Sequence, residues 1–422
     1  MDIVDVLYKR KYSNWTELEK EIETIAITVE KRNAFEQFCF FFLCYYKNLY
    51  QIAEIYTDKI SGREIPAEIR SKLKLSAADD GVDGVYITVD GKYTAYQSKF
   101  RTNRKAPTSN ELNNFWAEAE YADTRLVIAN EMSLPSDVEK RKNNLFVLGH
   151  IFDQLPEDFF EYLYAEATAR KTKSNVPVVR EKYKLRQYQE DVIAAAVNSF
   201  QNNDRGKIIA ACASGKTLIS LWISERLHAN SVVFFTPNLA LVRQTIANWA
   251  NHCNDPFVYL AVCSDETVSA SITDTFTINA SEMDIPVTTD AETIKQFLEY
   301  DTECKKVIFS TYQSVECIIE ALHKLPDYKF DLGVYDEAHR TAGASTSGLF
   351  QKALLDINIP IKKRLFMTAT ERLATPRLKA RFEQQNRVLF SMDDEDKYGR
   401  VFIDFRSEKL LKKVSSLTTK LW

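Results

Sequence analysis

The chain has 422 residues, of which 45% are hydrophobic and 27% charged, as is typical of globular domains that bury a core. Its net charge of -4 at pH 7 does not indicate a basic nucleic-acid-binding protein, so any nucleic-acid contact has to come from local basic patches. Seven cysteines without a CxxC pair and five scattered histidines favour neither a disulfide framework nor a structural zinc site. With no secretory signal at the N-terminus, the sequence predicts a cytoplasmic protein.

Residues 1–165 are predicted to form an α/β domain. Residues 14–57 repeat apolar side chains at three- and four-residue steps, which indicates helix. The strongest apolar run, residues 38–46, is far shorter than the roughly 20 residues that span a bilayer, so we interpret it as a buried helix and expect no membrane contact.

A β-hairpin is predicted over residues 82–100, where two alternating runs flank Asp90-Gly91. A helix over 110–121 and two strands, near residues 127 and 147, complete this α/β unit. The polar stretch 166–184 is then interpreted as a linker.

Residues 185–398 alternate apolar strands with helical segments. This alternation predicts a parallel sheet with helices on both faces. The polar segment 264–292 interrupts the alternation and is either an excursion or a mobile loop. Residues 399–422 are interpreted as a tail.

The most specific motif runs from Ala210 to Thr217 (AACASGKT), between a strand and a helix. Backbone N–H groups of such a loop cradle phosphates at a helix N-terminus, and Ser214 is among the predicted ATP-binding residues. Gly215 lets the chain approach the phosphates closely. Lys216 would reach the β- and γ-phosphates of ATP, and Thr217 would bind Mg²⁺. Ala210 replaces the usual first glycine of this motif.

A second motif, Asp336-Glu337-Ala338-His339, follows an apolar strand about 120 residues after the first. Asp336 at a strand end would hold Mg²⁺, and Glu337 would orient the attacking water, because phosphoryl transfer depends on positioning and charge neutralisation. Alone, this motif would more often be a solvated acidic turn.

These motifs together resemble the first RecA-like domain of a superfamily 2 DEAH/DEAD-type helicase of the type I and type III restriction-subunit kind. The resemblance covers about residues 185–400 and implies ATP and Mg²⁺ as cofactors. It further implies adenine binding, DNA-backbone contact and coupling of hydrolysis to movement. By this resemblance, adenine binding is assigned to Arg186 and Gln189, and DNA-backbone contact to Pro237 and Thr311. Coupling of hydrolysis to movement is assigned to His339, Thr368 and Thr370.

The same family places ATP between two RecA-like domains, the second of which supplies an arginine. Only about 50 residues follow Thr370. We therefore expect the second RecA-like domain to be absent, so that the chain is a fragment, a truncated product or a subunit that depends on a partner.

A weaker constellation, Asp83 with Gln97 and Lys99, lies in the predicted hairpin. Gln97 and Lys99 point to one face of their strand, and Asp83 lies within cross-strand reach, so a metal-binding carboxylate would meet a cation. This pattern resembles the Mrr-like PD-(D/E)XK nuclease core with Q-x-K, which implies that Glu36, on the preceding helix, completes the site. The alternative is a surface ion pair between Asp83 and Lys99.

A basic run follows the last strand of that hairpin. Arg101, Arg104 and Lys105 would grip a DNA backbone or else form a solvated charged loop.

The sequence thus predicts a restriction- or defence-type enzyme that binds double-stranded DNA and combines an ATP-driven motor with a metal-dependent endonuclease. Two alternatives stay open: a nucleotide- and DNA-binding remnant with little turnover, and a front domain that serves only as an interaction module.

Overall fold

A computed structural model describes residues 3–76, 81–105, 107–139, 143–173, 178, 183–211, 213–263, 283–343, 349–385 and 388–405. The chain divides into two compact units. Unit 1 comprises Met1–Lys182 with Ser281–Ile285, and unit 2 comprises Tyr183–Ala280 with Pro286–Trp422.

The described part of unit 1 combines one sheet with surrounding helices. Its strands are β1 (Ile52–Tyr56), β2 (Gly84–Thr88), β3 (Tyr93–Lys99), β4 (Thr124–Ala129) and β5 (Asn144–Val147). Its helices are α1 (Ile3–Lys9), α2 (Trp15–Glu23), α3 (Thr28–Tyr45), α4 (Ala67–Leu73), α5 (Ser109–Glu118), α6 (Ser136–Glu139), α7 (Gly149–Phe152) and α8 (Glu157–Lys171), with a 3-10 turn at Thr102–Arg104.

The sheet of unit 1 follows the order β1-β2-β3-β4-β5. The first three strands are antiparallel neighbours, whereas β3, β4 and β5 are parallel. Gly91 has a φ of 81° in the turn between β2 and β3, a left-handed conformation that glycine adopts at low cost, so the predicted Asp-Gly hairpin is confirmed.

Helix α3 is apolar on almost every side and lies in the core, as a helix without a polar face must. Phe38 stacks within 4.7 Å of Trp15 and 5.4 Å of Phe152, measured between ring centroids. The interpretation of residues 38–46 as a buried helix therefore holds up to Tyr45, where α3 ends.

The described part of unit 2 alternates strands and helices. Its strands are β6 (Arg205–Ile209), β7 (Ser231–Thr236), β8 (Phe257–Val262), β9 (Val287–Thr288), β10 (Lys305–Thr311), β11 (Phe330–Tyr335), β12 (Ile361–Thr368) and β13 (Arg400–Asp404). Its helices are α9 (Gln187–Ser199), α10 (Lys216–Arg226), α11 (Leu239–His252), α12 (Ala291–Glu299), α13 (Val315–His323), α14 (Leu349–Lys352), α15 (Pro376–Gln384) and α16 (Glu395–Tyr398), with 3-10 turns at Tyr312–Ser314 and Ala338–Thr341.

Unit 2 contains an eight-stranded sheet in the order β13-β6-β12-β11-β7-β10-β8-β9, in which all the neighbours are parallel. Strands β6, β7, β10, β11 and β12 are almost entirely buried, which explains why they read as continuous apolar runs rather than as alternating ones. The α/β fold with a parallel sheet, predicted for this part of the chain, is confirmed.

Two predicted boundaries in this part of the chain differ from the structure. The predicted helix over 14–57 is wrong beyond Tyr45, because Ile52–Tyr56 pairs with β2 as an edge strand, and short apolar runs do not distinguish helix from strand. Helix α8 continues to Lys171, inside the predicted linker 166–184, because Ala167 is buried. Residues 264–282 of the predicted excursion lie outside the described residues.

The predicted tail 399–422 is wrong at its start, since Arg400–Asp404 is the edge strand β13, paired with β6. Gly206 makes this pairing possible: a Cβ there would lie 2.1 Å from Cζ of Phe402, whose ring occupies that space. Residues 406–422 lie outside the described residues.

Lys207 is a buried lysine in β6 that holds two later segments of unit 2. Its Nζ donates to Oε1 of Glu371 at 2.9 Å and to the carbonyl of Met392 at 2.5 Å. Glu371 follows Thr368-Ala369-Thr370 directly, so one ammonium group fixes both the end of that motif and residue 392.

Replacing Lys207 with methionine is expected to lower the free energy of unfolding of unit 2 by about 2 kcal/mol, because a partly buried carboxylate and a carbonyl lose their shared donor. Chemical unfolding followed by tryptophan fluorescence measures this loss. The matched control is Lys362→Met, since Lys362 is 59% exposed and its 2.8 Å pair with Asp331 should contribute less than about 1 kcal/mol. Equal effects of the two substitutions would contradict the assignment.

Candidate functional site

The loop between β6 and α10 brings the predicted phosphate-binding residues to the carboxyl edge of the parallel sheet. Gly215 caps α10 with a φ of 79°, and a Cβ there would lie 2.7 Å from Nε2 of Gln189. Both the left-handed backbone and this close approach require glycine. Tyr188 donates its hydroxyl to the carbonyl of Ser214 at 3.0 Å, which anchors the loop to α9.

Gln189 is 1% exposed and lies against this loop. Its Oε1 accepts from the backbone N–H of Arg186 at 3.0 Å, so the side chain closes the first turn of α9. The side chain of Arg186 is exposed. The structure thus places Gln189 beside the phosphate loop and Arg186 at the start of α9, and their contact with a base stays a prediction.

Lys216 and Glu337 come together across the edge of the sheet. The Nζ of Lys216 lies 3.8 Å from Oε1 of Glu337 and donates to the carbonyl of Ala210 at 3.4 Å. Glu337 has a left-handed backbone with a φ of 48°, a conformation that costs free energy in a residue other than glycine and that turns its side chain out of β11. The carbonyl of Thr217 accepts from Nε1 of Trp249 at 3.0 Å, which ties the start of α10 to α11.

Asp336 is fixed by its backbone at the end of β11. Its N–H donates to the carbonyl of Phe235 at 3.0 Å, and its carbonyl accepts from the hydroxyl of Tyr312 at 2.8 Å. Its Oδ1 is enclosed and has no hydrogen-bond partner among the described residues. Burial, and then the negative charge of Glu337, raise the pKa of Asp336 to about 6, against the opposing charge of Lys216.

A magnesium ion fits this arrangement, because its preferred ligands are oxygens and a buried carboxylate oxygen lies here without a partner. Asp336 and Thr217 would hold the ion, which supplies charge neutralisation for phosphate oxygens when bound. No group of three or more His, Cys, Asp or Glu side chains that could bind a metal occurs among the described residues. A P-loop site does not need one, because nucleotide phosphates and water complete the coordination.

His339 links the acidic motif to β12. Its Nδ1 lies 3.3 Å from Oε2 of Glu337 and 3.1 Å from Oγ1 of Thr368. Thr368 in turn donates to the carbonyl of Thr370 at 2.8 Å. Burial lowers the pKa of His339, against the raising effect of Glu337, and so favours the neutral imidazole. The three predicted coupling residues therefore form one connected chain with Glu337.

The second predicted constellation lines one cavity in unit 1. This cavity, of about 200 Å³, is lined by Arg32, Glu36, Gly81, Asp83, Gln97, Ser98, Lys99, Glu111 and Asn114. The α3 residue Glu36 thus lies with the three hairpin residues, as the sequence predicted.

Asp83 and Gln97 are both held in place within this cavity. Oδ2 of Asp83 accepts from the N–H of Ser98 at 2.6 Å and from its hydroxyl at 2.7 Å. Gln97 donates Nε2 to the carbonyl of Gly81 at 2.6 Å, and its buried Oε1 has no hydrogen-bond partner among the described residues. That oxygen, with the carboxylates of Asp83 and Glu36, gives a donor set that suits a hard divalent cation.

Lys99 and Glu36 are the charged ends of this site. Burial lowers the pKa of Lys99, and so does the positive charge of Arg32, while Asp83 raises it. Oε2 of Glu36, which is 3% exposed, lies 3.4 Å from Nζ of Lys59. The site therefore pairs a mostly buried ammonium with buried carboxylates, a combination that can neutralise a phosphate and bind a cation.

Comparison with known proteins identifies part of the chain. Residues 182–373 match the family described as "Type III restriction enzyme, res subunit". This part of the chain has a RecA-like α/β fold and is similar in sequence to helicase domains of that family. A probable helicase of African swine fever virus is 27% identical over 273 residues, which cover 64% of this chain and 27% of that protein.

A solved structure also resembles the chain. The Type ISP restriction-modification enzyme LlaBIII, described as ATP-dependent and bound to DNA, aligns with 92% of this chain at a TM-score of 0.66 and 26% identity. The chain spans about a quarter of the length of LlaBIII, and 27% of the viral helicase. Among the described residues, no helix is long and apolar enough to cross a membrane.

Two residues predicted to contact DNA in the helicase-type domain have buried side chains. Pro237 and Thr311 are both buried in the structure, at the ends of β7 and β10. The hydroxyl of Thr311 donates a hydrogen bond to Oγ of Ser314 at 3.1 Å. Contact of these two residues with a DNA backbone stays a prediction.

Arg104, which was also predicted to contact DNA, is ion-paired with two carboxylates in the structure. Its guanidinium donates to both carboxylate oxygens of Glu19 at 2.7 to 3.0 Å and to both of Asp153 at 2.7 Å. The arginine is therefore engaged in a structural network. Arg101 lies beside the cavity but is ion-paired with Glu111.

Ser98 and Tyr312 are site residues that the sequence analysis missed. Ser98 holds Asp83, and Tyr312 holds the backbone of Asp336. Ser98 lies between Gln97 and Lys99, so its position beside the motif is the one signal that was available. Tyr312 is 24 residues from its partner, and the sequence offers no comparable signal for that contact.

The raised pKa of Asp336 makes stability depend on pH. A carboxyl whose folded pKa is about 6 and whose unfolded pKa is 3.8 stabilises the fold when protonated, and this contribution is lost as pH rises through 6. Relative to Asp336→Asn, the wild type should lose about 2 kcal/mol between pH 4.5 and pH 7.5, with most of the loss below pH 6.5.

Chemical unfolding of both proteins at the two pH values tests this expectation. Asp191→Asn is the control, because Asp191 is exposed on α9 of the same unit. A wild type that tracks Asp336→Asn at both pH values would show that the carboxyl is not destabilised by burial.

Proposed function

We propose that the chain is an ATP-driven DNA motor of the restriction or defence type, which hydrolyses Mg-ATP while it moves on double-stranded DNA. The observation that carries the proposal is the meeting of Lys216, Asp336 and Glu337 at the carboxyl edge of one parallel sheet. Ligands of such sheets bind at this edge, where helix N-termini and strand ends converge.

Each residue of that edge has one task in the proposal. Lys216 binds the β- and γ-phosphates, Thr217 and Asp336 hold the magnesium ion, and Glu337 orients the attacking water. His339 carries the change at Glu337 to Thr368, with which it shares a hydrogen bond. Gln189 and Arg186, beside the loop, bind the adenine.

DNA is the proposed partner because of the comparison and not because of overall charge. LlaBIII, which aligns with 92% of the chain, is described as bound to DNA. The described cysteines form no disulfide, which agrees with the proposed cytoplasmic location.

We propose further that unit 1 is a metal-dependent endonuclease. Asp83, Glu36 and Gln97 would hold a divalent cation, and Lys99 would neutralise the scissile phosphate or activate water. This proposal rests on the cavity that these four residues share and on the buried, unpaired Oε1 of Gln97. A surface ion pair, the alternative reading of Asp83 and Lys99, does not agree with the burial of Asp83, which is 8% exposed.

The first experiment measures ATP hydrolysis and plasmid cleavage by the purified chain. ATP hydrolysis is followed with and without double-stranded DNA, and cleavage with Mg²⁺ or Mn²⁺, each with and without ATP. DNA-stimulated turnover with cutting supports both proposals. ATP binding without turnover favours a nucleotide-binding remnant, and turnover without cutting leaves unit 1 as an interaction module.

A further inference from the structure

A second cavity adjoins the proposed nuclease site. It has a volume of about 380 Å³ and is lined by Thr28, Lys31, Arg32, Ser98, Lys99, Phe100, Arg101, Thr102 and Lys105. Arg32, Ser98 and Lys99 line both cavities, so the two spaces meet at these three residues.

The charge of the second cavity is of one sign. Its lining contains five cationic side chains and no carboxylate. Arg101 is paired with Glu111, and Lys31 donates to the carbonyl of Glu23 at 3.0 Å. Neither Arg32 nor Lys105 makes an ion pair among the described residues, although Arg32 also lines the first cavity with Glu36 and Asp83. Lys105 lines only the second cavity, so its positive charge adds to that space.

The local structure holds these cations in place. Arg32 lies on α3 one turn before Glu36, on the same face of the helix. Arg101 and Lys105 flank the 3-10 turn Thr102–Arg104, in which Asn103 and Arg104 have φ values of 62° and 50°. The strained turn is fastened by Arg104, whose guanidinium is bound to Glu19 and Asp153. The ion pairs of Arg104 therefore fix the turn between Arg101 and Lys105, which both line the cavity.

We propose that the second cavity binds a DNA backbone phosphate that neighbours the scissile phosphate on the same strand. Arg32, which lines both cavities, would contact both phosphates. This inference rests on the proposed nuclease function of unit 1, whose cavity would hold the scissile phosphate. A DNA strand carries one phosphate charge per nucleotide, so a strand that enters the first cavity brings a second charge into the adjoining space. Lys105 and Lys31 complete the positive surround.

The test compares DNA binding by the wild type and by Arg32→Ala, Lys105→Ala and the double variant. Fluorescence anisotropy with a labelled DNA duplex is measured in Ca²⁺ over a range of salt concentrations. Each single variant should bind about tenfold more weakly, and the slope of log K against log salt should fall by about 1 per lost phosphate contact. Arg63→Ala is the matched control, because Arg63 is exposed in the same unit and lines neither cavity.

A second readout locates the contact within unit 1. Lysine acetylation followed by mass spectrometry should show Lys31 and Lys105 protected by DNA in the wild type and unprotected in Arg32→Ala. Lys20, which is exposed and outside both cavities, should react equally in every case. Because Arg32 is exposed and makes no ion pair with any residue that the structure describes, its substitution should leave the melting temperature unchanged.

The outcomes separate this inference from the nuclease proposal. Arg32-dependent binding without cutting by the wild type supports the phosphate site and removes the nuclease. Cutting together with unchanged affinity, salt slope and lysine protection in Arg32→Ala overturns the phosphate site. Tighter Arg32-dependent binding of an RNA of the same sequence overturns the assignment of DNA as the ligand.

Discussion

Glu337→Gln is expected to lower ATP turnover at least about 100-fold while the affinity for ATP stays within a factor of a few. The carboxylate lies 3.8 Å from Nζ of Lys216 and 3.3 Å from Nδ1 of His339, so it stands between the phosphate-binding lysine and the residue linked to β12. Glutamine keeps the shape but cannot accept a proton from water. Steady-state hydrolysis and binding of a fluorescent ATP analogue measure the two quantities separately.

Lys216→Ala should differ from Glu337→Gln by losing nucleotide binding as well as turnover, with turnover down by about 1,000-fold. The lysine is 11% exposed and has no alternative cation beside it in the described loop. Glu316→Gln is the control for both, since its side chain is 57% exposed and pairs with Lys352 on the surface. Full turnover in Glu337→Gln would remove the glutamate from the proposed chemistry.

Glu337→Gln should also change its neighbours in a stated direction. The negative charge of Glu337 raises the pKa of Asp336, so the substitution should lower that pKa below its value of about 6. The loss of stability of the chain between pH 4.5 and pH 7.5 should therefore be smaller in Glu337→Gln than in the wild type, and an equal loss would show that the two carboxylates do not interact.

Local motifs with a fixed backbone requirement were predictable from the sequence. Gly215 needs its φ of 79° and its close approach to Gln189, and Gly91 needs its φ of 81° in the hairpin. Glycine between a strand and a helix, or between two strands, indicates such a turn, and the residues next to it in the sequence are enough to recognise it. The parallel sheet was predictable for the same reason, because buried strands read as apolar runs between helices.

Features that depend on contacts between segments far apart in the sequence could not be predicted. Arg104 looked like a DNA contact because it lies in a basic run, yet Glu19 and Asp153, 85 and 49 residues away, occupy its guanidinium. Strand β13 was missed because its place depends on the space over Gly206 that Phe402 fills. The side chains of Pro237 and Thr311 match a motif, but the burial that removes them from solvent is a property of the packed sheet.

Asp83→Ala is expected to lower metal-dependent DNA cleavage by at least about 1,000-fold, which corresponds to several kcal/mol of transition-state stabilisation. The carboxylate is 8% exposed and lines one cavity with Glu36, Gln97 and Lys99. Removing it takes away the one aspartate of the proposed donor set. Plasmid nicking with Mg²⁺ and with Mn²⁺ measures the effect.

Asp83 also has a structural task, since its Oδ2 accepts from the N–H and hydroxyl of Ser98. Ser98→Ala separates the two tasks, because it removes one hydrogen bond of about 1 kcal/mol and leaves the carboxylate in the cavity. If Asp83 acts through the metal, Ser98→Ala should keep cleavage within about tenfold of the wild type. Equal loss in both variants, with equal melting temperatures, would make Asp83 a positioning residue.

Lys99→Ala should match Asp83→Ala in the loss of cleavage but not in metal binding. Burial lowers the pKa of Lys99. If cleavage needs the charged ammonium, the cleavage rate should fall as the pH rises through this pKa, which is a lower pH than for an ordinary lysine. Lys92→Ala is the matched control on the same hairpin, since Lys92 is 65% exposed and pairs with Asp90. Wild-type cleavage by Lys99→Ala, or the same loss in Lys92→Ala, would leave Asp83 and Lys99 as a structural ion pair and unit 1 without a nuclease centre.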